Sequence, residues 1–131
     1  MTVWCLGKVA RVNRYTESMR KHFLHPRNVG ELVDAQAVGE AENSACGDRL
    51  KWFLRFTSEG RIDAVRFSAQ ACSAVIATAS MVSEALSGLD VASARALDVD
   101  ELVRSEGGLP PGRAHALEVV KRALASALAS V

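Results

Sequence analysis

Apolar positions along the chain change period several times, and each change predicts an element. Between Arg14 and His25 the residues Tyr15, Met19, His22 and Phe23 fall at helical spacing, and Pro26, Asn28 and Gly30 end the run. From Asp48 to Phe56 the period drops to two: Leu50, Trp52, Leu54 and Phe56 alternate with Arg49, Lys51 and Arg55, and Phe53 breaks the pattern. Thr57 to Gly60 reads as a turn. Arg61 to Ser68 reads as the returning strand of a hairpin, with a slip near Ala64 that suggests a bulge. Val38 to Glu42 offers a further short strand.

The second half reads as helical. Ser73 to Leu86 is apolar or small all round, the pattern of a buried helix, and Gly88 is placed to stop it. Asp90 to Leu97 and Asp98 to Arg104 predict two short helices, each opened by an acidic residue suited to capping. Gly107 to Gly112 is a break, and Arg113 to Val131 carries a last stripe of Leu117, Val120, Leu124 and Leu128. Strands first and helices afterwards predict an α+β fold, a small antiparallel three-stranded sheet with helices packed on one face.

The length of 131 residues and 49% hydrophobic content suit one domain with its own core, residues 15–131, behind an N-terminal extension at 1–14. Charge excludes more than it proposes. With 16 basic and 15 acidic residues the net charge is +1, which gives no footprint for nucleic acid or an anionic membrane surface. No apolar stretch reaches the roughly 20 residues of a membrane span, and no signal-peptide core precedes Tyr15, so a cytoplasmic protein is expected. The three cysteines, Cys5, Cys46 and Cys72, are too few for a disulfide framework and form no CxxC pair. Reduced thiols open to metal are the natural reading.

Ligand chemistry concentrates in four residues. Cys46 and Asp48 sit at a loop-to-strand entry, where extended geometry would aim both to one side. Cys72 precedes the buried helix, whose N-terminus would stabilise a thiolate. His115 opens the last helix. Two thiols, a carboxylate and an imidazole complete a tetrahedral site, provided three element ends converge. Cys5, beside Trp4 and Leu6, reads as a packing residue, and His22 and His25 as surface or capping residues.

The same residues lie in ordered blocks, HFLHPRNVGEL at 22–32, ACGDRLKWFL at 45–54, GRIDAVRFSAQACSAVIATASMVSEAL at 60–86 and GLPPGRAH at 108–115. In these blocks the chain resembles the IscU and NifU N-terminal family of iron-sulfur cluster assembly scaffold proteins. The resemblance implies a non-enzymatic protein that builds a transient [2Fe-2S] cluster from iron and from sulfur donated by a cysteine desulfurase, then passes it to client apo-proteins. It places the ligands at Cys46, Asp48, Cys72 and His115, with zinc an alternative occupant. A third family cysteine would fall on Ala116, which weakens sulfur acceptance. Leu109, Pro110, Pro111 and Arg113 resemble the segment read by an Hsp70-type chaperone, Leu-Pro-Pro-Val-Lys, with Gly112 and Arg113 departing from it. Two other readings remain: a zinc-binding sulfur relay like the SufU branch, and a regulator of a cysteine desulfurase that builds no cluster.

Overall fold

The computed structural model describes residues 15–45, 47–110 and 112–131. Cys5, Arg14 and the rest of the proposed extension, Cys46 and Pro111 lie outside the described residues. The elements are α1 (Glu17–Leu24), β1 (Ala37–Asn43), β2 (Asp48–Phe56), β3 (Ile62–Gln70), α2 (Ser73–Leu86), α3 (Val91–Arg95), α4 (Val99–Ser105) and α5 (His115–Ala129). The strands form an antiparallel sheet in the order β1-β2-β3. The α+β architecture expected from the pattern is therefore the one observed.

Alternation decides which face of β2 is buried. Asp48, Leu50, Trp52 and Leu54 point to the helices, and each of these four side chains is at most 1% exposed. Across the sheet, Leu50 meets Ala41 and Ala69, Trp52 meets Gly39 and Phe67, and Leu54 meets Ala37 and Val65. The Trp52 and Phe67 rings pack tilted, with centroids 5.6 Å apart. Phe53 breaks the alternation because the other face also has a small apolar patch. It sits opposite Val38 and Arg66 with the Lys51 ammonium 5.4 Å from its ring centre, a cation-π arrangement that helps cover it.

Small residues set how close α5 lies. Ala37, Gly39 and Ala41 are the inward positions of β1, and a Cβ built on Gly39 would lie 2.0 Å from the Ala127 amide nitrogen and 2.4 Å from the Ala123 carbonyl oxygen. The helix backbone thus rests directly on the strand. Trp52 fits beneath it and donates from Nε1 to the Val120 carbonyl at 3.4 Å.

Several boundaries differ from the periodic reading for reasons of capping. The first helix begins at Glu17 because the Thr16 hydroxyl accepts the Met19 amide, and His25 is its C-cap. Asp90 and Asp98 cap α3 and α4 by accepting the amides of Ser93 and Glu101, the role their acidity predicts. The last helix starts at His115 and not at Arg113, which stays in the preceding turn. The suspected bulge is real: Arg55 pairs with Ala64 but Phe56 with Ile62, leaving Asp63 as the extra residue. His22 is not a surface side chain, since its imidazole is 14% exposed and its Nδ1 lies 2.7 Å from Ser80 Oγ. Ser80 also accepts the Arg27 amide at 2.8 Å, so this hydroxyl ties the loop after α1 to the middle of α2.

Candidate metal centre

Three element ends meet at one edge of the core. Asp48 is the first residue of β2 and, by the strand's alternation, faces the helices although it is a carboxylate. Cys72 is the N-cap of α2, immediately after β3. His115 is the first residue of α5, set there by the turn in which the Arg113 amide donates to the Pro110 carbonyl. Antiparallel pairing brings the start of β2 beside the end of β3, with Arg49 opposite Gln70. The packing of α5 over β1 and β2 carries His115 to the same place.

The Cys72 amide donates to Asp48 Oδ1 at 3.1 Å, and the Cys72 Sγ is 3.9 Å from Asp48 Oδ2. His115 Nε2 lies 3.6 Å from Asp48 Oδ2. One ligand atom from each of the three residues falls within 4.8 Å of the others. Ligands around a tetrahedral zinc ion stand about 3.5 Å apart for bond lengths of about 2.0 to 2.3 Å, so only a small contraction is needed. Asp48 and Cys72 are fully buried, and the His115 side chain is 30% exposed.

The residues fit a metal ion on two counts. His115 Nε2 is buried with no hydrogen-bond partner, a costly state that coordination would relieve. The donors, thiolate, imidazole and carboxylate, are those that iron and zinc accept. Tyr15 reaches the start of α2 next to Cys72, with its hydroxyl 3.0 Å from Ser73 Oγ. Burial pushes the Tyr15 phenol above its ordinary range; the Ser73 hydrogen bond opposes this, the neighbouring Cys72 adds to the rise, and the Arg113 charge opposes it.

One step of the sequence reasoning does not hold. Gly47 is left-handed, with φ 74°, and its amide donates to the Asn43 carbonyl at 2.8 Å. The chain before Asp48 is a hairpin turn and not an extended lead-in, so side-chain alternation gives no direction there. Ala116, where the resemblance would put a third cysteine, is fully buried in the first turn of α5. In the expected chaperone segment, Leu109 packs partly against the core, Pro110 is buried, and Arg113 is 8% exposed. A groove of about 350 Å³ between α3 and α5, lined by Ala94, Leu97, Leu124 and Leu128, is remote from the ligands in sequence and carries none of them.

A three-stranded antiparallel sheet with helices on one face, and Asp48, Cys72 and His115 gathered at its edge where they could hold a metal ion, define a small α+β domain with a candidate metal centre. The family described as NifU-like N terminal domain matches residues 14–130, and the chain belongs to that family. It is 39% identical over 102 residues to the iron-sulfur cluster assembly scaffold protein IscU of Aquifex aeolicus, covering 77% of this chain and 65% of that protein. It thus spans just under two thirds of that relative's length. It is 32% identical over 121 residues to the scaffold protein IscU of Escherichia coli, covering 88% of this chain and 91% of that one. The crystal structure of FiSufU from Fervidobacterium islandicum AW-1 shares the fold, with a TM-score of 0.71 over 87% of this chain and 96% of the other, at 18% identity.

Proposed function

We propose that this chain assembles a transient [2Fe-2S] cluster, or holds the iron that precedes it, at Cys46, Asp48, Cys72 and His115. The observation that carries this reading is the convergence of three ligand atoms within 4.8 Å, among them a buried His115 Nε2 that has no hydrogen-bond partner. Thiolates favour iron-sulfur clusters, and replacing thiolate ligands by carboxylate and imidazole makes a cluster easier to give up. Lability suits a donor. In this reading a cysteine desulfurase supplies sulfur, client apo-proteins receive the cluster, an Hsp70-type chaperone engages the segment around Leu109, Pro110 and Pro111, and the work is done in the cytoplasm. Zinc competes for the same four ligands.

Ala116 favours a second reading. If the thiol that accepts sulfur belongs at that position, this chain holds zinc and relays sulfur, or regulates the desulfurase, without completing a cluster. Anaerobic incubation with ferrous iron, cysteine, a cysteine desulfurase and a thiol reductant, which reduces the persulfide sulfur to sulfide, separates these outcomes. A visible cluster spectrum with matching iron and sulfide content supports the scaffold. Retained zinc with faster desulfurase turnover supports the relay, and the absence of both outcomes supports the regulator.

A further inference from the structure

Among the described residues, the buried charged side chains are Asp48 and Arg113; Asp48 is a candidate ligand, and Arg113 stands two residues before His115. Other arginines pair on the surface, as Arg49 does with Glu42 at 2.8 Å and Arg55 with Asp63 at 3.0 Å. Arg113 makes no side-chain hydrogen bond or ion pair among the described residues, although it is only 8% exposed. A guanidinium cannot shed its proton to escape burial, and with no partner among the described residues its charge keeps only the small solvent access of an 8% exposed side chain. Its place is fixed by the backbone. The Arg113 amide donates to Pro110 at 3.2 Å and its carbonyl accepts the Ala116 amide at 3.0 Å, two residues before His115. The Tyr15 hydroxyl, which touches Ser73 beside Cys72, feels both the Cys72 and the Arg113 charge.

The proposed ligand set leaves a charge of its own. A divalent ion held by two thiolates, one carboxylate and a neutral imidazole carries a net charge of about −1, because the ligands must be deprotonated to bind. We propose that Arg113 is the charge-balancing residue of this centre: its guanidinium, held on a largely buried side chain two residues before His115, offsets the excess negative charge of the loaded site. This rests on the ligand assignment above and gives Arg113 a role inside the site, where a chaperone contact would need it outside.

The test is the zinc affinity of the purified full chain, measured by competition with a chromophoric chelator. Arg113→Gln is expected to weaken zinc binding about 10- to 100-fold, the range for residues that support ligands without touching the metal. Arg113→Lys, which keeps the charge, should recover most of the loss. In an Asp48→Asn background the loaded site is already neutral, so adding Arg113→Gln should cost little more. Arg113→Met, which keeps the buried stem, replaces Gln if folding suffers. Unchanged affinity in Arg113→Gln, or an equal loss in both backgrounds, overturns the charge-balancing role. The ligand assignment fails separately, if Cys72→Ser binds zinc as the parent chain does.

Discussion

At the scale of single residues, the account turns on a carboxylate that a strand's alternation drives into the core. Asp48 occupies the position where Leu50, Trp52 and Leu54 continue the buried face, and a carboxylate there is tolerated only with partners such as the Cys72 amide. Zinc bound by four ligands is worth on the order of 10 kcal/mol. Shared among them, each supplies about 2.5 kcal/mol, so Cys72→Ser should lower zinc affinity on the order of 100-fold, as read by chelator competition. Ala116→Cys should raise persulfide loading from a cysteine desulfurase, detected as a mass shift of one sulfur atom on the protein. Unchanged loading would favour the regulator. Asp48, Cys72 and His115 were legible because thiol, carboxylate and imidazole at element ends are an unusual combination. Arg113 was legible only as part of a loop motif, since nothing in a sequence tells a buried guanidinium from an exposed one.

At the scale of elements, period identifies strands and helices but not how closely they approach. The pattern of β2 and the all-round apolar character of α2 predict both elements, and the bulge near Ala64 follows from the slip in alternation. Gly39 was invisible to that reasoning, because hydrophobic pattern records polarity and not volume. A methyl group there would collide with the backbone of α5 at Ala123 and Ala127, and backbone cannot step aside as a side-chain tip can. Gly39→Ala should therefore destabilise the protein by about 1 to 3 kcal/mol, the usual cost of overpacking. A lowered midpoint in urea, with an unchanged slope, is the expected signature. A Gly39→Ala variant as stable as the parent would mean that α5 does not rest on β1. The Thr16 cap moves the start of α1 beyond the predicted Arg14, and the turn closed by the Arg113 amide on the Pro110 carbonyl delays α5 to His115.

At the scale of the whole molecule, the candidate metal centre draws on the beginnings of β2, α2 and α5, which no local sequence window contains. Their convergence had to be inferred, and antiparallel pairing of β2 with β3 is what supplies it. Binding to the folded form alone stabilises the elements that carry the ligands. Hydrogen exchange in the turn at 43–48 and in the segment 107–114 should slow when zinc is added, while the amides of β3 away from the site stay as they were. Equal protection with and without zinc would argue against coupling. X-ray absorption at the zinc edge of the loaded protein tests the central claim most directly. The account predicts two sulfur ligands at about 2.3 Å and two nitrogen or oxygen ligands at about 2.0 to 2.2 Å, with one sulfur lost in Cys72→Ser. A first shell of nitrogen and oxygen alone, or one unchanged by Cys72→Ser, would contradict it.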